Sequence, residues 1–137
     1  MTEIKKNRHA LYKLTYHLVV VTKYRHPCIN NVMHERLKEI ANDLFTKWDC
    51  EILEMNGEEN HVHILFDAPP QIQLSRIINS FKTVSSRYIR KEFSKDLAPY
   101  YWKPYFWNQS YMVLTTGGAT IDVVKKYIEN QGLEKRK

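Results

Sequence analysis

The stretch Asn60-His61-Val62-His63-Ile64-Leu65-Phe66-Asp67-Ala68, closed by Pro69-Pro70, decides the fold. Its side chains alternate with a period of two, the period of a strand. Val62, Ile64 and Phe66 face one way and need an apolar layer beneath them. His61 and His63 face the other way, about 6.6 Å apart along the strand. Prolines cannot donate to a ladder, so the strand is expected to run from His61 to Ala68 and stop. Two neutral imidazoles on one rigid face can share a metal ion. The same pattern is also that of an ordinary amphipathic strand with two half-exposed histidines, and no third ligand stands nearby at a standard zinc spacing. Asp67 shares their parity, where a strand-end carboxylate is expected to face water.

Reading outward, Leu14 to Lys23 is rich in β-branched and aromatic residues and reads as a strand. Consecutive Val19, Val20 and Val21 imply that both of its faces are covered. A turn follows around Tyr24-Arg25-His26-Pro27. Asn30 or Asn31 can cap a helix to about Trp48, with Val32, Leu37, Ile40, Ala41, Leu44, Phe45 and Trp48 as its core face. Glu51 to Met55 reads as a strand, and Asn56-Gly57 as the start of a turn. Leu74, Ile77, Ile78, Phe81 and Tyr88 mark a long amphipathic helix that ends before Pro99, with Arg76, Lys82, Arg87, Arg90 and Lys91 on its other face. A fourth strand is expected from about Phe106 to Leu114. Thr115-Thr116-Gly117-Gly118 reads as a flexible break; Thr120 suits the cap of a last helix, Asp122 its first turn and Gly132 its end. The order matches the split βαβ of ferredoxin-like (RRM-like) folds: class α+β, an antiparallel sheet of four or more strands packed by helices, with an extra C-terminal helix.

At 137 residues the chain fits one domain, 1–137, with basic ends at about 1–10 and 133–137 as mobile tails. No apolar run reaches the ~20 residues of a membrane span. Cys28 and Cys50 stand far apart and read as free thiols of a cytoplasmic, reducing environment. The net charge of +6 favours a polyanionic partner without proving one. On the last helix Tyr127 and Gln131 are four apart and share a side. Ile121, Val124 and Ile128 form a separate stripe that can dock on a sheet. A tyrosine beside Lys125 and Lys126 is also what ordinary amphipathic packing looks like.

Taken together, these pieces resemble the TnpA-type single-tyrosine transposases of the HUH superfamily, named for histidine, bulky hydrophobic, histidine, and carried by short bacterial and archaeal insertion sequences. The segment His17-Leu18-Val19-Val20-Val21-Thr22-Lys23-Tyr24-Arg25, followed by His26-Pro27, looks like the family's opening. Asn60-His61-Val62-His63 is similar to its metal motif, and Tyr127-Ile128-Glu129-Asn130-Gln131 to its nucleophile helix. The ordered set spans nearly the whole chain.

The resemblance implies that His61, His63 and Gln131 bind a divalent metal, Mg2+ or Mn2+, the amide oxygen suiting a hard cation. It implies that Tyr127 cleaves single-stranded DNA through a 5′-phosphotyrosine, rejoins strands at hairpin-bearing element ends, and works in a homodimer whose subunits share active sites. Gly117-Gly118 is compatible with such an exchange of the last helix. Lys23, Tyr24, Arg25, Arg76, Lys82, Arg87 and Arg90 are candidates for DNA contact. Tyr24, Trp102, Tyr105 and Trp107 could stack on unpaired bases, Trp107 being the one expected in the core. The rival reading is a domesticated or inactive relative that binds single-stranded nucleic acid without chemistry. Rolling-circle nickases of the same superfamily often carry two tyrosines on that helix; here there is only Tyr127.

Overall fold

In the computed structural model, residues 5–6, 11–12, 14–115 and 121–131 are described. The expected break at 116–118, the Thr120 cap, Gly132 and the tail at 133–137 lie outside them. Of the expected N-terminal tail, Lys5–Lys6 (β1) and Leu11–Tyr12 (β2) form a small antiparallel pair.

The main sheet is built from Thr15–Val21 (β3), Glu51–Glu58 (β4), His61–Asp67 (β5) and Met112–Thr115 (β6). Its order is β4-β5-β3-β6, every neighbouring pair antiparallel. Counted from β3, that is second, third, first, fourth strand, the expected split βαβ arrangement and class α+β. Asn31–Lys47 (α1) and Leu74–Glu92 (α2) make the two crossings, and a short helix, Ser94–Leu97 (α3), follows α2. Asn30 caps α1 as read from sequence, its side chain accepting from the Met33 N–H at 2.9 Å. The last helix, α4, is Ile121–Asn130.

The alternation in β5 does what the sequence implied. Val62, Ile64 and Phe66 are fully buried, and Leu18 and Val20 of β3 join them in the core against α1 and α2. Phe45 of α1 meets Phe66 edge-on at 5.0 Å and Phe81 of α2 at 6.1 Å. Val19 and Val21, on the opposite face, are fully buried as well, so both sides of β3 are covered. No helix among the described residues is long and apolar enough to cross a membrane.

Four local readings are corrected. Asn56-Gly57 continues β4, and the turn falls at Glu59-Asn60, between paired Glu58 and His61. Gly57 answers a different need: a Cβ there would stand 2.4 Å from the His61 carbonyl oxygen and 2.8 Å from the His34 ring. The fourth strand is shorter than read. Trp107 bridges Thr22, but the ladder breaks at Gln109-Ser110, whose carbonyls accept hydrogen bonds from Lys82 instead. Val32 is 65% exposed, because the Asn30 cap sets the helix phase that turns Met33 inward. Tyr88 is partly exposed and carries Arg36 and Arg87 against its ring.

Candidate active site

Register fixes which side chains share the histidine face. Antiparallel pairing sets Val21 opposite His61, Val19 opposite His63 and His17 opposite Leu65. Directly paired residues lie on the same face, so His17, His61 and His63 form one group. His17 Nδ1 and His63 Nε2 are 2.6 Å apart, and the two rings stack with centroids at 4.8 Å. The His61 Nδ1 lies 2.9 Å from the Asn60 side-chain oxygen. His17 was not singled out from sequence. Only the register against the His-x-His strand sets it on their face.

Both imidazoles of the motif are half-buried. Burial lowers the His61 pKa; Glu58 opposes this and His34 adds to it. Burial likewise lowers that of His63, with His17 adding to the effect and Glu54 opposing it. The neutral imidazole, the form that donates a lone pair to a cation, is thereby favoured. Asp67 does not face water. It is 3% exposed, and its Oδ1 accepts a 2.5 Å hydrogen bond from Thr15, which removes it from the ligand face as a free carboxylate.

A cavity of about 550 Å³ opens over this face. His17, His61 and His63 form its floor, and Val124 and Ile128 of α4 its roof. Arg25 closes one side and donates to the Glu129 carbonyl of α4 at 2.9 Å. Arg25 and Tyr24 have φ of 57° and 59°, left-handed values that non-glycine residues adopt at a cost of roughly 1–2 kcal/mol. Thr22 Oγ1 donates to the His26 carbonyl at 2.7 Å and Tyr101 Oη to the Lys23 carbonyl at 2.6 Å, clamping the turn from both ends.

Tyr127 and Gln131 stay together but point elsewhere. Tyr127 Oη lies 3.3 Å from Ser110 Oγ; Gln131 Oε1 accepts from Ser110 Oγ at 3.1 Å and from the Asn108 amide. Burial raises the Tyr127 pKa, against a smaller lowering by Ser110. Neither residue lines the histidine cavity. Within one chain, then, the imidazole pair and the Tyr127–Gln131 pair occupy different sides of α4. Asn108 and Ser110, which receive the second pair, were not foreseen. Among the described residues no three His, Cys, Asp or Glu side chains gather in a metal-binding group. His61 and His63 nonetheless fit a divalent cation as two neutral nitrogen donors beside open space.

The basic candidates divide. Arg25 lies in the histidine cavity. Lys23, Lys82 and Arg90 line a second cavity of about 330 Å³. Tyr24 packs edge-on against Tyr105 at 5.9 Å, with the Lys23 ammonium over both rings. Arg76 lies over Trp48 and Arg87 over Tyr88, in neither cavity. Trp107 belongs to the core as expected, its Nε1 donating to Ser85 at 2.9 Å, whereas Trp102 is 89% exposed.

Comparison with known proteins agrees along nearly the whole chain. The family described as "Transposase IS200 like" matches residues 10–131. The ISDra2 transposase TnpA of Deinococcus radiodurans is 33% identical over 129 residues, covering 94% of this chain and 91% of its own. A transposase for insertion sequence element IS200 from Salmonella typhimurium is 29% identical over 131 residues, covering 96% and 85%. Among solved structures, a Deinococcus radiodurans R1 chain described as a transposase superposes with a TM-score of 0.84 at 35% identity, covering 93% of this chain and 98% of that one. A REP-associated tyrosine transposase bound to a REP hairpin shares the fold, with a TM-score of 0.58 at 11% identity over 92% of this chain and 69% of its own.

Proposed function

This chain belongs to the family of IS200-like transposases, and on that premise we propose that it cuts and rejoins single-stranded DNA at the ends of an insertion sequence, with Tyr127 as nucleophile and a divalent metal, Mg2+ or Mn2+, on His61 and His63. The observation that carries the reading is the pair of half-buried imidazoles, whose neutral form burial favours, facing a cavity roofed by the helix that bears Tyr127.

The Tyr127 phenol is raised above its usual pKa by burial, so its unaided ionisation at neutral pH is unfavourable. His61 and His63 would hold the cation, which would supply positive charge to polarise the scissile phosphate and lower the cost of the phenolate. Tyr127 loses its proton, its oxygen bonds to phosphorus, and the bond from phosphorus to the 3′ oxygen breaks. The departing oxygen takes up a proton and leaves as a free 3′-OH, while the 5′ end remains on the tyrosine. The phosphotyrosine keeps the phosphodiester energy, so a second 3′-OH can displace it without ATP. Arg25, beside the imidazoles, is placed to neutralise phosphate charge.

Tyr127 and Gln131 must reach the imidazoles for this chemistry, and inside one chain they are held by Ser110 and Asn108. The reading therefore includes a homodimer in which α4 of one copy serves the histidines of the other, with the Gln131 oxygen completing the metal site. The test is a denaturing gel after incubation with labelled, hairpin-bearing single-stranded DNA from the element's own ends. A covalent adduct that needs the metal and vanishes in Tyr127→Phe is expected. Metal-dependent cleavage that survives Tyr127→Phe would indicate water as nucleophile and end the proposal.

A further inference from the structure

The second cavity is not used by the chemistry above. It lies between α2 and the segment that leads into β6, on the side of the Asn108–Ser110 segment that Lys82 occupies. Lys23, Lys82 and Arg90 line it, with the Tyr105 ring and the hydroxyls of Thr83 and Ser86. Among the described residues its lining contains no carboxylate. Three cations without an acid among them form a field that calls for an anion.

Each cation is held in place by a different device. The Lys23 ammonium sits 5.0 Å over the Tyr105 ring. Lys82 donates to the carbonyls of Gln109 at 2.6 Å and Ser110 at 3.4 Å and lies 5.6 Å from the Tyr111 ring. Arg90 spends its Nε on Ser86 Oγ at 3.1 Å. Carbonyls, rings and a hydroxyl orient these heads without neutralising them, so each keeps its charge for a ligand. At Lys82 burial works against this, lowering its pKa to about 8, a cost that an arriving anion offsets. The volume, about 330 Å³, is at the small end of ligand sites, which run from roughly 300 to 1,000 Å³. That volume suits one nucleotide. A base inside a duplex has both faces stacked already, so only an unpaired base can use the Tyr105 ring.

We propose that this cavity is a subsite for one nucleotide of unpaired DNA, its phosphate held by Lys23, Lys82 and Arg90 and its base laid against Tyr105. The proposal deepens the reading that this chain acts on single-stranded DNA and rests on it. It also gives that reading a local consequence. Lys82 grips the carbonyls of Gln109 and Ser110, and Ser110 holds Tyr127, so a nucleotide drawing on Lys82 acts on the segment that retains the nucleophile.

The test uses the full chain and a fluorescein-labelled oligothymidylate of about 20 nucleotides in metal-free buffer, with affinity read by anisotropy across a KCl titration. Lys82→Gln and Arg90→Gln are each expected to weaken binding about 3- to 10-fold at low salt, and to reduce the log–log salt slope by about 0.7, one phosphate each on a single strand. Lys47→Gln, on α1 beside Asp43, controls for net charge and is expected to match the wild type. With bromouracil in place of thymine, irradiation is expected to crosslink the strand at Tyr105. Three results would each overturn the subsite: a loss in Lys47→Gln equal to that in Lys82→Gln, an unchanged slope in both cavity variants, or crosslinks confined to other surfaces. Thymidine 5′-monophosphate binding as tightly as the oligomer would also overturn it, marking a free-nucleotide site instead. The adduct gel separates the two readings. An adduct in the wild type with unchanged slopes sinks the subsite alone; altered slopes without any adduct sink the cleavage chemistry alone.

Discussion

The histidine sheet and the tyrosine helix are held by opposite means. His61 and His63 stand on β5, which pairs with a strand on each side over a fully buried row of Val62, Ile64 and Phe66. Tyr127 and Gln131 stand on α4, whose described inward side chains, Val124 and Ile128, are only half-buried. Their polar anchors are short-range contacts to Asn108 and Ser110. The difference teaches a division of labour. On the proposed chemistry, the groups that would hold a cation at fixed separation sit on a strand hydrogen-bonded to a neighbour on each side. The group that would attack, carry a DNA end and return sits on a helix whose described inward side chains are only half-buried, as an element that has to move requires.

The largest expected effect comes from asking whether those two regions meet across copies. His61→Ala and Tyr127→Phe are each expected to lower adduct formation by roughly three orders of magnitude or more, the scale of losing a nucleophile or its activation. Mixed in equal amounts, the two inactive proteins are expected to regain about a quarter of the wild-type sites. Half the randomly exchanged dimers are mixed, and each has one intact site. Titrating active sites in the mixture with labelled substrate checks this, and no recovery after subunit exchange would confine each site to a single chain.

A second effect separates the regions by stability. Phe66→Ala removes a ring packed on Phe45 and Tyr16 and is expected to cost about 3–5 kcal/mol of global unfolding free energy. Ile128→Ala on α4 is expected to cost about 1 kcal/mol or less, because half of that side chain already meets water. Urea denaturation of the two variants gives the contrast directly. Equal losses would mean that α4 is as much part of the core as β5.

The same contrast explains what was legible in the sequence. The sheet side was readable because its signals are periodic and local: alternation in β5, the valine run in β3, the Asn30 cap. Two misreadings arose where a residue served a distant neighbour. Gly57 looked like a turn and is in fact room for His34 and the His61 carbonyl. The segment before β6 looked like strand, but Lys82 takes the Gln109 and Ser110 carbonyls there. His17 carried no local mark at all, since its meaning lies in the register against β5. The pairing of Tyr127 and Gln131 on one side of α4 followed from helical spacing, but Asn108 and Ser110 as their present hosts did not, because no spacing rule links a helix to a loop. The convergence of Lys23, Lys82 and Arg90 on one cavity likewise depends on how α2 lies against the chain entering β6.

A smaller effect probes the anchor of the helix. Ser110→Ala deletes the contacts to Tyr127 and Gln131, each a partly exposed hydrogen bond worth about 0.5–1.5 kcal/mol. Amide exchange in α4 is expected to quicken about 3- to 10-fold while exchange in β3 and β5 stays as in the wild type. Uniform acceleration across both regions would show that Ser110 supports the whole fold and not the seat of Tyr127.

The smallest effect concerns Lys82, which touches both regions through Gln109 and Ser110. Burial pushes its pKa down to about 8, against about 10.4 in an unfolded chain. A phosphate binds the ammonium, so affinity for an unpaired strand is full below pH 8 and falls as pH rises through that value. Folding runs the other way. Between about pH 8 and 10.4 the unfolded chain holds more protons than the folded one at this site, so Lys82's contribution to stability rises with pH across that window. It is present above the unfolded pKa and lost as pH falls through the folded one. Lys82→Gln is expected to flatten both trends, by a few-fold in strand affinity between pH 7 and 9 and in the opposite sense in the urea midpoint. Two opposed slopes removed by one substitution would tie the charge of Lys82 to the ligand and its burial to the fold. A strand affinity equally pH-dependent in Lys82→Gln would instead assign the titration to other groups and leave Lys82 as a tether for the loop alone.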